Sequence, residues 1–379
     1  MTGATDDVLE LLDALLRIDS VNPDLDPHGG GETQIADFVA GWGRAAGLRV
    51  EVVEPTPGRP SVVLRGGRAD GGRCLMLCGH LDTVGLAASH DGLAPRADGD
   101  RLHARGAYDM KAGLAACLVA ARDAVADGLR GEVVVAAVAD EEAASLGIRD
   151  VLTHIDATRI DAAVVAEPTE RHIGTAHRGF IWHEIVIAGV AAHGSRPQLG
   201  ADAILAAGPL LVALAELDAH LLDRPHRFLG PGNLHASLIS GGTEESTIPD
   251  RCTLTIERRT LPGETLASLE RDLDDLVARS RPSDPRITVS TRTLLHREPM
   301  ETPHDAAIVQ SLQAATGASV PLSPMSYWAD SAYLSAAGIP TVLYGPEGEG
   351  AHADVEWVSL SGTHVATTAL TTLVSDFCG

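Results

Sequence analysis

Lysine is almost missing from this 379-residue chain: Lys111 is its one representative, and acidic residues outnumber Lys and Arg together by 52 to 29. The formal net charge of −23 argues against a nucleic-acid or anionic-membrane partner, because both need basic patches for counterion release or surface attraction. Cysteine is also scarce. Cys74, Cys78, Cys117, Cys252 and Cys378 are scattered, odd in number and mostly set in apolar runs, which predicts buried reduced thiols rather than a disulfide framework. No zinc-ribbon spacing occurs, and no fixed-period repeat or low-complexity tail. The absence of a Gly-x-Ser-x-Gly elbow removes the main support for a serine hydrolase. The first residues offer neither a basic n-region nor a long apolar stretch, so the cytoplasm is the expected location.

What is present is an ordinary globular balance, 45% hydrophobic and 21% charged, in a chain too long for one core, so two domains are expected. The most informative stretch is Gly79-His80-Leu81-Asp82-Thr83-Val84. It follows the apolar run Cys74-Leu75-Met76-Leu77-Cys78, which reads as a strand buried on both faces. His80 thus emerges at a strand's C-terminal end, where open α/β sheets place their chemistry. Residues two apart in an extended segment share a face, which lets Asp82 orient the His80 imidazole.

The same grammar recurs. Residues 8–16 and 34–46 read as helices, followed by strands at 49–54 and 61–64. Ala104-Arg105-Gly106-Ala107-Tyr108-Asp109-Met110-Lys111 leads into an Ala-rich helix over 114–126, so Asp109 stands at a helix entry. A buried strand over 132–139 delivers Asp140-Glu141-Glu142, three adjacent acids that call for a cation or a retained proton. Another over 161–166 delivers Glu167-Pro168-Thr169. From 174 to 189 the pattern alternates as in one antiparallel strand. A helix over 202–222, strands over 234–239 and 252–258, a helix over 266–278 and a strand over 287–293 complete a small α+β block. The α/β grammar returns with a helix over 305–315 and a strand over 340–344, ahead of the Gly-rich turn that carries His352.

The expected architecture is therefore α/β: a mostly parallel-sheet domain over 1–176 and 294–379, with an inserted α+β, ferredoxin-like domain over 177–293. In one parallel sheet the strand ends share a rim, which would gather His80, Asp109, the acidic triplet, Glu167 and His352. Two histidines and several carboxylates without cysteine suit one or two divalent metals, zinc first, with cobalt or manganese as alternatives.

In these motifs, from Gly79-His80-Leu81-Asp82 through Asp109-Met110-Lys111, Asp140-Glu141-Glu142 and Glu167-Pro168-Thr169 to Ala351-His352, the chain resembles the co-catalytic zinc amidohydrolases. That family includes acetylornithine deacetylase, succinyl-diaminopimelate desuccinylase, glutamate carboxypeptidase and aminoacylase. The resemblance implies two metal ions, one on His80, Asp109 and Glu167 and the other on Asp109, Glu142 and His352, with Asp109 as the bridge. It implies Glu141 as general base and Asp82 as the partner of His80. It further implies that the inserted domain is a lid and homodimer contact, that His193 reaches a partner's site to stabilise the oxyanion, and that Arg259 grips a substrate carboxylate. Arg258, on the other face of the same strand, is not interchangeable with it.

Two positions depart from the family. The resemblance implies that Ser246 binds substrate, but it stands where an asparagine is usual, so that a substrate hydrogen bond is lost or shortened; and Tyr327-Trp328-Ala329-Asp330 replaces small residues near the substrate, so that Trp328 either narrows a pocket or packs in a core. The expected activity is cleavage of the amide bond of an N-acyl amino acid, acetylornithine deacetylase-like, with a dipeptidase or carboxypeptidase as the alternative. A non-catalytic binding protein would lack a ligand or the base, and all six positions are filled.

Overall fold

A computed structural model describes residues 4–68, 71–86, 92–317 and 319–379. The chain divides into two compact units. The first comprises Met1–Thr175, Glu301–Met325 and Ala329–Gly379; the second comprises Ala176–Met300 and Ser326–Trp328.

The first unit is built on a mixed sheet whose centre is parallel. Cys74–His80 lies between Glu132–Val138 and Ala162–Val165, parallel to both, and Ala162–Val165 is in turn parallel to Thr341–Leu343. All residues of Cys74–His80 and Glu132–Val138 are buried, which is why these segments are continuous apolar runs rather than alternating ones. Arg49–Val53 and Ser61–Gly67 extend the sheet antiparallel on one side, and Ile173–His177 does so on the other. The helices Ala4–Leu16, Ala112–Ala126 and Leu360–Cys378 share one core with the sheet, Leu12, Leu118 and Leu373 among its buried residues. The lone lysine is inside it: Lys111 is 1% exposed, and its Nζ donates to the carbonyls of Leu15 and Ile18 at 3.1 and 3.0 Å. Gly113 allows a close approach, since a Cβ there would lie 1.9 Å from the Ala166 carbonyl oxygen. That contact seats the helix after Asp109 directly against the segment that leads to Glu167.

The second unit follows the order strand, helix, strand, strand, helix, strand. Its four-stranded antiparallel sheet runs Asn233–Gly241, Arg251–Thr260, Gly179–Ala188, Thr288–Arg297. Burial alternates along Gly179–Ala188: Ile185 and Ile187 pack with residues such as Leu210, Leu273 and Leu276 of the helices Ala203–Leu222 and Leu266–Arg279. The helix Ala203–Leu222 starts where Asp202 caps the Leu205 N–H, and it carries Pro209 within it. By length and composition it could cross a membrane, yet it lies against this sheet, with Leu205 and Val212 76% and 60% exposed.

One expectation is corrected. The alternating stretch from 174 to 189 is two strands, Ile173–His177 and Gly179–Ala188, in two different sheets. The break falls at Arg178, whose side chain bonds to the carbonyls of Leu229 and Pro231, and at Gly179, where a Cβ would come within 2.2 Å of the Arg297 carbonyl oxygen. Period-two alternation continues through such a junction, so the pattern could not show it. A small sheet of very short strands, Gly348–Glu349, Trp357–Ser359, Arg101–His103 and Arg96–Asp98, was also not anticipated.

Candidate metal centre

The parallel strands bring three of the motifs to one rim. In register, His80 pairs with Val138, so the acidic triplet begins just beyond the level of His80, and Val165 pairs with Cys78, two residues before Glu167. Each strand ends in a polar group because the backbone leaves the buried sheet there. Asp109 comes from the irregular segment Ala107–Lys111, where its backbone departs from helical geometry (φ −115°, ψ 95°) before the helix Ala112–Ala126 begins. His352 sits in the left-handed region at φ 61°.

These side chains meet. His80 Nε2 is 3.2 Å from Asp109 Oδ1 and 3.9 Å from Glu167 Oε1. His352 Nε2 is 3.4 Å from Asp109 Oδ2 and 2.9 Å from Glu142 Oε2. Asp109 therefore gives one oxygen to each imidazole. His80, Glu141 and Glu167 form a second close group, with ligand-type atoms within 4.8 Å of one another.

The support of His80 differs in detail from the expectation. Its Nδ1 lies 2.9 Å from the Asp82 main-chain carbonyl and 3.6 Å from the Asp82 carboxylate. With Nδ1–H donated to that carbonyl, Nε2 is the nitrogen that faces the acids. The Asp82 carboxylate is engaged elsewhere: Oδ1 accepts the Glu141 N–H at 3.1 Å, and Oδ2 accepts the Glu142 N–H at 3.2 Å. It thus fixes the backbone that aims both glutamates.

The triplet itself divides. Asp140, at φ 66°, turns away from the rim into a buried network, where Asn22 Nδ2 donates to Asp140 Oδ1 at 2.9 Å and to Asp82 Oδ2 at 2.8 Å. Arg59 bonds to the Asn22 side-chain oxygen and to Glu32 at 2.6 Å, and its guanidinium stands 3.5 Å from Asp140. Glu32, Asp82 and Asp140 also have metal-like proximity, but here the protein's own guanidinium supplies the positive charge. Asn22, Arg59 and Glu32 escaped the sequence reading because their partners lie 27 to 118 positions away with no periodic pattern. Glu356 escaped it as well. Its carboxylate accepts the N–H groups of Gly106, Tyr108 and Asp109 at 2.8–3.0 Å and pairs with Arg105 at 2.8 Å, tying the His352 segment to the Asp109 segment.

The electrostatics call for added positive charge. Burial, reinforced by neighbouring acids, pushes Glu141 and Glu167 well above the usual carboxylate range, and Glu142 is raised by burial too. Hydrogen bonds to Asp109 and Glu142 push His352 up to about 10. Burial opposes protonation of His80, but Asp109 and Glu167 outweigh it and raise it well above the ordinary value. For Asp109, burial is overcome by the two imidazoles, which hold it below the usual range. Glu142 Oε1 is buried and has no hydrogen-bond partner among the described residues. Four carboxylates and two imidazoles, an orphaned acid oxygen and no thiolate make a donor set that fits divalent cations of borderline hardness.

The remaining predicted residues belong to the second unit. His193 is exposed, with Nδ1 2.8 Å from Ser195 Oγ, and it pairs in register with Thr247. The Gly194 N–H donates to the Ser246 carbonyl at 2.7 Å, so the His193 and Ser246 segments are neighbours. Arg259 is half-exposed, its Nε bonded to Glu257 at 2.6 Å. Arg258 points to the opposite, buried face and pairs with Asp272 at 2.9 Å and with Glu264.

Comparison with known proteins gives the same direction. The family model for peptidase family M20/M25/M40 matches residues 76–376. Acetylornithine deacetylase from Klebsiella pneumoniae (strain 342) is 30% identical over 349 residues, 89% of each chain. The acetylornithine deacetylase of Myxococcus xanthus is 29% identical over 323 residues, 84% of each. Among solved structures, aminopeptidase PepT from Bacillus cereus aligns with a TM-score of 0.79 at 17% identity, covering 99% of both chains. The Bacillus subtilis YXEP protein, described as a dinuclear metal binding peptidase, aligns at 0.74 with 15% identity over 100% of this chain and 99% of that one.

Proposed function

We propose that this protein, which belongs to peptidase family M20/M25/M40, removes the acyl group from the amino nitrogen of an acylated amino acid by adding water across the amide. The single observation that carries this reading is the Asp109 carboxylate set between His80 and His352, one oxygen to each, with Glu141 beside them. His80, Asp109 and Glu167 would hold one divalent cation, and Asp109, Glu142 and His352 the other, zinc first with cobalt or manganese as alternatives. Bound there, the cations supply Lewis-acid charge that acidifies a water and polarises the amide carbonyl.

The chain's own residues do the rest. Asp82 holds the main chain of Glu141 and Glu142, so that one glutamate faces the ligand set and its neighbour stays beside it as a free base. Glu141 takes a proton from the attacking water at its carboxylate and returns it to the leaving nitrogen. The water oxygen joins the acyl carbon as the C–N bond breaks, leaving a carboxylic acid and an amine. His193 is suited to donate to the developing oxyanion, and Arg259 to a substrate carboxylate.

The role given to His193 requires a homodimer through the inserted unit, and the exposed apolar surface of that unit supports one. Leu205 and Val212 on one helix, with Leu238 and Ile239 at 68% and 60% exposure on the edge strand Asn233–Gly241, leave apolar surface of the kind that associates. The relatives named above make N-acetyl-ornithine the first substrate to try. Hydrolysis of N-acetyl-ornithine, other N-acyl amino acids and dipeptides, measured with zinc, cobalt or manganese and after chelation, tests the reaction. Metal-dependent release of free amino acid is expected, and full activity in chelated protein overturns the reading. Mixing His193→Ala with Glu141→Ala chains should restore some activity if His193 acts across a dimer; no recovery refutes that role.

A further inference from the structure

Aromatic residues are only 3% of the chain, yet Phe180, Trp182 and Trp328 gather in the second unit. The Phe180 ring lies 5.6 Å from Trp182 and 6.4 Å, edge on, from Trp328. Strand register sets Phe180 between two arginines, with Arg259 directly opposite on one neighbouring strand and Arg297 on the other. The Arg259 guanidinium stands 5.1 Å from the Phe180 ring centre, and that of Arg297 stands 5.3 Å from Trp328. Alternation puts Phe180 and Trp182 on the sheet face away from the helices, which pack against Ile185 and Ile187.

We infer that this face binds an acylated amino acid whose side chain is aromatic, its carboxylate on Arg259 and its ring against Trp182 and Phe180. The inference rests on the amide-hydrolase reading for the identity of the acylated group and adds to it the class of side chain.

Ordinary core packing does not account for the arrangement, because Trp182 is 39% exposed and the Arg259 side chain 40% exposed. Both are nonetheless held in place by one buried acid. Glu257 accepts the Trp182 indole N–H at 2.7 Å through Oε2 and the Arg259 Nε–H at 2.6 Å through Oε1. That clamp fixes the indole plane and the guanidinium fork before any ligand arrives, which lowers the ordering cost of binding. With Nε taken, the two terminal nitrogens of Arg259 have no hydrogen-bond partner among the described residues. They form the parallel donor pair that a carboxylate accepts.

Charge points to the same ligand. A substrate with a side-chain ammonium, such as N-acetyl-ornithine, would bring that cation towards the Arg259 guanidinium, whose own acid Glu257 is already bound to it. An aromatic side chain joins the α-carboxylate by a short tether and presents a π face to Phe180 and Trp182, a contact that rewards stacking.

Tryptophan fluorescence of the metal-free protein, titrated with N-acetyl-phenylalanine and with N-acetyl-ornithine, tests this directly. The aromatic ligand should quench with an affinity a few-fold to about tenfold tighter, the scale of one aromatic contact. Trp182→Leu should erase that advantage, Trp182→Phe should restore most of it, and Arg259→Gln should weaken binding of the aromatic ligand. Equal or tighter binding of N-acetyl-ornithine, or a Trp182→Leu protein that keeps the preference, overturns the inference. In zinc-loaded protein, kcat/KM for N-acetyl-phenylalanine relative to N-acetyl-alanine should fall about tenfold on Trp182→Leu. Hydrolysis of N-acyl amino acids without an aromatic preference overturns this inference but leaves the reaction standing. Aromatic binding without hydrolysis of any N-acyl amino acid or dipeptide overturns the reaction and leaves the binding face.

Discussion

The two units differ in the groups they hold at greatest cost. The first buries its charges: Arg59, Glu32, Asp82 and Asp140 are all under 10% exposed, and each is held by a specific partner. The second leaves apolar side chains in the open, with Leu205, Val212 and Leu238 each at least 60% exposed. Buried charge is tolerated only where geometry is fixed and hydrogen bonds are complete, so the first unit has the rigidity that a ligand set needs. Exposed apolar surface has no such internal resolution, and the proposed dimer contact of the second unit rests on it.

Altering the rim should produce the largest effect. Glu141→Ala should lower turnover by about 10²–10⁴-fold with bound metal unchanged by elemental analysis, whereas Glu142→Ala should reduce the metal content itself. Loss of metal from the Glu141 variant would mean that the two glutamates exchange roles. Next comes the buried network. Arg59→Ala leaves Glu32 without its partner and should cost about 3–5 kcal/mol in denaturant unfolding; a loss under about 1 kcal/mol would mean that water or a neighbour replaces the guanidinium, and the contrast between the units would weaken.

A buried ionisable group at the end of the strand Ile173–His177 sharpens the comparison. Burial lowers His177 to about 4, so it is neutral in the fold. Its contribution is complete above the unfolded value near 6.5 and is lost as pH falls from there to about 4, a change of up to about 3 kcal/mol. Thermal unfolding of the wild type should decline across that window, and His177→Phe should flatten the decline. The smallest effect belongs to the surface. Thr265 caps the helix Leu266–Arg279 in a reciprocal capping box with Ser268, and Thr265→Ala should cost about 1 kcal/mol without altering metal content.

Legibility followed the range of the interactions. The strand that ends in His80 and the strand before the acidic triplet were readable because burial on both faces writes a continuous apolar run into local sequence. Asp109 was readable as a loop residue before a helix. Its anchor, Glu356, was not, since it lies 247 positions away. The division of labour within Asp140-Glu141-Glu142 was equally hidden, because the left-handed turn at Asp140 depends on Asn22 and Arg59, which nothing in the local pattern connects to it. The switch between sheets at Arg178 was masked by alternation that both strands share.

The burial of Lys111 reaches beyond packing. With the one lysine 1% exposed and bound to two carbonyls, no side-chain amine faces solvent, so amine-directed crosslinkers and acyl-transfer reagents meet no lysine target on the folded surface. Fixed positive charge outside is left to guanidinium groups that stay protonated far into alkali. Burial also raises all five thiols. Above neutrality few cations are left to titrate, Lys111, which burial lowers to about 8, and His352 at about 10 among them, so the molecule's acidic surplus should change by only a few charges, and its electrophoretic mobility should vary little where a lysine-rich protein would accelerate towards the anode.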